Sequence, residues 1–217
     1  PMQNEITGLI LSGGEGSRMG GVNKGLLPYC QSTLVQHSIL RLKEQVGTIV
    51  INANNDISLY KAFGYIVWSD SSPSKGPLTG FLTGLEKCST PYLMVVPCDT
   101  PHFPLDLVDR LFNKIQETQT DVCMPITRDH NSTHAQARAQ PTFCLLKKSL
   151  ASNLKLFLSG ANSRVQDWTD QQKNSYVEFD SPPYPADAFV NLNTPEELRS
   201  SQAKAMLIKP FILGPEL

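Results

Sequence analysis

The chain has 217 residues, of which 40% are hydrophobic and 18% charged, with a net charge of −1. That length suits one α/β domain with a full core, since roughly 70% of the unfolded surface is buried at this size. The charge balance argues against a nucleic-acid binder held by a broad basic field, and no apolar run approaches the ~20 residues of a membrane span.

Ile6 to Leu11 is continuously apolar and predicts a buried strand of a parallel sheet. Ser32 reads as an N-cap, with apolar residues at 34, 35, 39, 42 and 46 forming a helical stripe behind it. Thr48 to Ala53 predicts a second strand, Ile57 to Phe63 a short helix and Tyr65 to Ser69 a third strand. Leu78 to Cys88 reads as a helix with Pro77 in its first turn, and Tyr92 to Val96 as the most apolar and central strand. Pro104 opens a helix carrying Leu107, Val108, Leu111, Phe112 and Ile115 on one face.

Val122 to Ile126 predicts a strand, 127–140 a polar loop, Thr142 to Leu146 a strand, and 147–158 and 161–168 helices. Tyr176 to Phe179 and Ala188 to Leu192 read as late strands. Thr194-Pro-Glu-Glu carries the signals of a capped helix start, while the tail after Met206 fits no element. Strands alternating with helices predict a single Rossmann-like α/β domain over 1–217, its mostly parallel sheet flanked by helices on both faces.

Ligands of such sheets bind outside the carboxyl ends of the strands, and two stretches fall there. Residues 9–25, LILSGGEGSRMGGVNKG, hold six glycines, Arg18 and Lys24 directly behind the first strand. Bare backbone turns its N–H groups towards an anion, and the two cations complete a polyphosphate cradle. Neither common phosphate motif fits: G-x-G-x-x-G fails at Met19, and the P-loop fails because Asn23 and Gly25 flank Lys24. The second stretch, VVPCDTPHFP, places Asp99 behind the central strand, where a carboxylate suits Mg²⁺ on phosphates or merely opens a turn.

Together these stretches resemble one family. The first is similar to the nucleotidyltransferase signature L-x-G-G-x-S-x-R-M-G-x-x-K. VINAN, SDSSPSKGPLTGFLTGL, PCDTPHFP, QPT and FVNLNTPEEL then follow in the order found in molybdenum cofactor guanylyltransferases. The resemblance covers about residues 6 to 202 and leaves 203–217 as an unassigned tail. It implies a Rossmann-like nucleotidyltransferase that joins GMP from GTP to molybdopterin and releases pyrophosphate.

By that resemblance Leu11, Ser12, Gly13 and Gly14 line the nucleotide, and Arg18 and Lys24 lie near the triphosphate. Asn52 and Asp70 contact GTP, and the Gly76-Pro77-Leu78 turn through Gly80 reads the base with its backbone. Asp99 binds Mg²⁺ and the nucleotide, while Asn191 and Asn193 lie on the metal and pterin side. Lys24, Arg18 and Asp99 are the implied catalytic set. Asn23 stands where the family commonly has Asp, and the segment 128–140 departs from the family in detail.

Gly13 leans towards GTP, because cytidylyltransferases for the same cofactor tend to carry Ala-Ala-Gly in place of Ser12-Gly13-Gly14. Alternatives of other kinds are a CTP-using or sugar-phosphate nucleotidyltransferase, and a non-catalytic GTP-binding module that delivers cofactor.

The remaining polar and aromatic residues carry plainer readings. His130 and His134 lie in a segment without helical period, and His102 and His37 read as turn and helix residues. Cys98, Trp68 and Trp168 read as packing groups. Five scattered cysteines without C-x-x-C, and no secretory pattern in PMQNEITG, point to a reducing cytoplasm. A monomer acting on GTP and molybdopterin, with cofactor-delivery or molybdoenzyme-maturation proteins as further partners, is the expected partner set.

Overall fold

The apolar run Ile6–Leu11 forms β1, the strand around which the remainder is wound. The computed structural model of the protein describes residues 1–13, 18–19, 21–133 and 135–212, with side chains at all of these except 18, 19 and 206–212. After β1 come two small antiparallel hairpins, β2 (Arg18–Met19) with β3 (Val22–Asn23) and β4 (Pro28–Tyr29) with β5 (Ser32–Thr33). Helix α1 (Leu34–Leu42), strand β6 (Thr48–Asn52), helix α2 (Ile57–Lys61) and strand β7 (Ile66–Trp68) follow. The chain then crosses back through α3 (Pro77–Lys87) to β8 (Tyr92–Pro97).

Beyond β8 lie α4 (Leu107–Thr118), β9 (Val122–Thr127), β10 (Arg138–Ala139) and β11 (Cys144–Lys147). Helices α5 (Ala151–Leu158) and α6 (Val165–Thr169), strand β12 (Asn174–Glu178) and helix α7 (Pro195–Ile212) complete the order. The sheet runs β10-β9-β11-β8-β1-β6-β7, with β12 also paired to β9. β1 is parallel to both β6 and β8, β6 to β7, and β12 to β9, whereas β11 is antiparallel to its neighbours β8 and β9. The sheet is therefore mixed and mostly parallel, with β8 at its centre as its apolarity predicts.

Successive side chains of a strand point to opposite faces, so the two sides of the sheet carry separate packing layers. Ile6 and Ile10 of β1, with Met94 and Val96 of β8, meet Val35 and Ile39 of α1 and Leu107 to Ile115 of α4. Leu9, Leu93 and Val95 face the other way, against Leu78, Phe81 and Leu85 of α3, Leu154 of α5 and Trp168 of α6. Trp168 is fully buried and donates Nε1–H to Asn153 Oδ1 at 2.8 Å, a packing group as its sequence reading held. Among the described residues no helix is long and apolar enough to cross a membrane.

Several boundaries differ from the sequence reading, each for a local reason. Thr33, not Ser32, caps α1 by accepting from Gln36 N–H at 3.3 Å, because Ser32 is paired with Tyr29 in the β4–β5 hairpin. Helix α4 starts at Leu107 rather than Pro104, since Pro104 forms a turn whose carbonyl accepts from Leu107 N–H and Gln45 Nε2–H. Arg138–Ala139, read as loop, adds a short antiparallel edge to β9. Ala188 to Leu192 is not a strand. Ala188, Phe189 and Leu192 are buried, but from turns and irregular chain, so their apolarity records packing without a ladder. The unplaced tail continues α7 to Ile212.

Candidate active site

β1 is the strand at which the winding reverses, with β6 reached on one side and β8 on the other, and a crevice opens at such a switch point. A cleft of about 410 Å³ lies there. Leu11 and Gly13 enter it from the end of β1, Asn52 from the end of β6, and Asp99 from the turn after β8. Gly76 and Pro77 bring the first turn of α3 to the same cleft, and Asp70 and Asn191 come from irregular segments. The glycine stretch and the PCDTP stretch, far apart in sequence, thus share one wall.

Lys24 sits in a short 3₁₀ turn directly after β3. Its Nζ lies 3.2 Å from Asp99 Oδ2 and donates to Asn193 Oδ1 at 2.8 Å. The lysine and aspartate side chains are 12% and 14% exposed, so the pair is shielded yet reachable. Asp99 is held from several directions. Thr100 Oγ1–H points to its Oδ1 at 3.3 Å and to Asn191 Oδ1 at 2.7 Å, and the Leu192 amide donates to the Asp99 carbonyl at 2.9 Å. Asn23, buried beside Lys24, donates its side-chain N–H to Asp56 Oδ2. An aspartate at 23 would set two carboxylates against each other there.

The other side of the cleft is a lattice of amides around Asp70. Its carboxylate accepts from Asn52, Asn54 and Thr83, which leaves Asp70 a framework group as much as a wall. Gly80 is required by close approach: a Cβ there would fall 2.5 Å from Leu11 Cδ2 and 2.6 Å from Asn52 Oδ1. Ser12 is buried under the cleft, its amide donating to the Asn52 carbonyl at 2.8 Å. Leu78 turns into the α3 core and does not line the cleft. Gly14 and the Arg18 side chain lie outside the described residues.

Sequence reading missed Asn54, Thr83 and Thr100, whose partners are set only by folding. Thr142 of the QPT element also lines the cleft.

Burial first, then the neighbouring Asp99 charge, pushes the Cys98 thiol up to about 12, so it stays a neutral packing group. His102 lies within hydrogen-bond distance of Tyr29 Oη and Ser201 Oγ, at 2.7 and 3.1 Å, in a second depression under α7. His37 Nε2 meets the Tyr29 carbonyl at 2.8 Å, and His130 pairs with Asp180 at 2.9 Å, while His134 lies outside the described residues.

Asp99 fits a magnesium ion in its donor set. Amide oxygens of Asn191 and Asn193 gather at the same rim, and among the described residues no group of three His, Cys, Asp or Glu comes together. One carboxylate beside substrate phosphates is a common way of holding Mg²⁺, and Asp99 would be that carboxylate here.

This winding, with its cleft over the β1 and β8 ends, is the fold of nucleotidyltransferases. Molybdopterin-guanine dinucleotide biosynthesis protein A from Archaeoglobus fulgidus superposes with a TM-score of 0.72 at 17% identity, over 93% of this chain and 99% of that one. CMP:2-keto-3-deoxy-manno-octonic acid synthetase complexed with CTP reaches 0.73 at 12% identity, over 94% and 99%. At such identities the likeness is one of fold.

The chain belongs to the MobA-like NTP transferase domain family, whose model matches residues 8–175. Among curated relatives, the molybdenum cofactor guanylyltransferase of Methylibium petroleiphilum is 45% identical over 89% of this chain and 94% of its own length. That of an Acidovorax species is 44% identical over 91% and 95%.

Proposed function

We propose that this chain transfers GMP from GTP to molybdopterin, with release of pyrophosphate. The observation that carries the reading is the meeting of Lys24 and Asp99 over the β1 and β8 ends, in a chain whose curated relatives are named for that activity. An oxygen of the molybdopterin phosphate forms a bond to the α-phosphorus of GTP. The bond from that phosphorus to its β-bridging oxygen breaks, and pyrophosphate leaves with the electron pair. A phosphate monoester, with its second pKa near ~6, is already largely dianionic at neutral pH, so the step takes no proton from the nucleophile and needs no general base.

The obstacle is bringing two polyanions together. Lys24, Arg18 and the amides of the glycine-rich stretch offset the charge of the triphosphate and of the departing pyrophosphate. Asp99 would hold magnesium, which would add charge neutralisation on the phosphate oxygens. Leu11, Ser12, Gly13, Gly14, Asn52, Asp70 and the Gly76–Pro77 turn hold the nucleoside, with Asn191 and Asn193 on the acceptor side. We expect a monomer to suffice. The buried thiols Cys88, Cys98, Cys123 and Cys144 suit a reducing cytoplasm.

The test compares pyrophosphate release from GTP, CTP and UTP, with molybdopterin or with sugar phosphates as acceptor. Release from GTP and molybdopterin alone supports the reading. Equal release from CTP or UTP, release with a sugar phosphate, or GTP binding without release overturns it.

A further inference from the structure

Four polar side chains from separate segments close on one another at the β6 side of the cleft. Asp70 Oδ1 accepts from Asn52 Nδ2–H at 2.9 Å and from the Thr83 hydroxyl at 2.5 Å. Asp70 Oδ2 accepts from Asn54 Nδ2–H at 2.9 Å, and the Asp70 amide donates back to Asn54 Oδ1 at 2.8 Å. Asn52 Nδ2 also donates to the Trp68 carbonyl at 3.1 Å. The carboxylate is thereby tied to the end of β6, to the chain after it and to the second turn of α3.

This lacing decides the orientation of one amide. Both N–H bonds of the Asn52 side chain end on oxygens, so a flipped amide would set its own oxygen against two acceptors. Asn52 Oδ1 is left pointing between Gly13 and Gly80, where an added Cβ would stand 3.4 Å and 2.6 Å from it. Both glycines line the cleft. A base edge that approaches this wall of the cleft therefore meets a fixed acceptor that cannot turn into a donor.

Nucleobases differ at that contact. The Watson–Crick edge of guanine carries two adjacent N–H donors, whereas that of cytosine carries one amino group beside two acceptors. Either of the two guanine donors can reach a fixed acceptor. Cytosine meets it only with its single amino group in register and otherwise sets a lone pair against it, which costs more than a mere lack of room.

We propose that Thr83 and Asn54 are positioning residues for base selection: acting through Asp70, they lock Asn52 with its Oδ1 towards the nucleobase, which favours guanine over cytosine. This rests on the guanylyl-transfer reading for the identity of the base. Neither residue touches the nucleotide in this account. Removing the Thr83 hydroxyl takes one of the three side-chain donors from Asp70, and the amide it holds gains freedom to rotate.

The test measures binding of GTP and CTP, with Mg²⁺ and without molybdopterin, by displacement of a fluorescent nucleotide. Wild type is compared with Thr83→Val, Thr83→Ser and Asn54→Ala. Thr83→Val should weaken GTP about tenfold, a loss of about 1.4 kcal/mol, and leave CTP unchanged. Thr83→Ser should restore the GTP preference, and Asn54→Ala should narrow it. Equal losses for both nucleotides, or an unchanged GTP to CTP ratio in a variant folded by circular dichroism, overturns the proposal, as does a wild type that binds both alike. If Thr83→Val fails to fold, Asn54→Ala decides by the same ratio. A wild type that prefers GTP in binding yet releases no pyrophosphate would sink the transfer reading and leave this one standing.

Discussion

Lys24 and Asp99 form an ion pair of 3.2 Å across 75 positions of sequence, joining the loop behind β1 to the turn behind β8. Their charges oppose, and with Asn193 as a third partner the lysine is held at the rim before any ligand arrives. On the proposed reading, a triphosphate would draw the lysine and a cation the carboxylate, so the pair would part when substrate binds.

Replacing either member should remove catalysis and spare the fold. Lys24→Ala and Asp99→Ala are expected to lower kcat/KM for GMP transfer by about 10²–10³-fold, the usual cost of one positioned charge stabiliser. Far-UV circular dichroism should match wild type. Wild-type turnover in either variant would discard its assigned role.

Gly80 tests the tightness of the cleft wall. Gly80→Ala introduces a Cβ 2.5 Å from Leu11 Cδ2 and 2.6 Å from Asn52 Oδ1, an overpacking expected to cost about 1–3 kcal/mol. The melting temperature should fall by about 2–4 °C per kcal/mol at this chain length, together with GTP affinity. An unchanged Tm and an unchanged GTP titration would show that α3 simply moves aside.

Acid should destabilise the protein through His102. Burial pulls this imidazole below its ordinary 6.5, against an opposing pull from Asp187, so the folded state holds it neutral. Below 6.5 the unfolded chain binds the extra proton first, and stability is lost as pH falls on towards the folded value. Melting curves from pH 7.5 to 5.0 should drop less steeply for His102→Gln than for wild type. Parallel curves would assign the acid sensitivity to other groups.

Thiol labelling should follow burial. Cys98 is pushed up to about 12 and Cys123 to about 11, in both cases chiefly by desolvation, so neither presents thiolate at pH 8. An aromatic disulfide reagent should leave both unmodified in native protein and modify them in urea, as mapped by mass spectrometry. Rapid native labelling of Cys98 would mean that the floor of the cleft opens.

The central strands were readable because a strand covered on both faces reads as a near-continuous apolar run, as Tyr92–Pro97 does, and Ile6–Leu11 apart from Thr7. The start of α7 was readable because its chemistry is local: Thr194 Oγ1 accepts from Glu197 N–H at 3.1 Å, and Glu197 accepts from the Asn193 amide at 2.7 Å. Ala188 to Leu192 misled because burial and strand formation leave the same apolar trace. The two-residue β10 leaves none.

In the site, Lys24 and Asp99 stood out as charges behind apolar strands, whereas Thr83 looked like any helix position. Its hydroxyl acquires meaning only when α3 lies beside Asp70.

The rim of the cleft is finished by residues 191–193, after every strand of the sheet has been made. During synthesis, a nascent chain halted past β12 would own its whole sheet, lysine and aspartate included, yet lack the asparagines that steady them. On the proposed reading, competence therefore comes after the sheet is complete, and a protease cut between β12 and residue 191 would silence the protein while leaving its sheet intact.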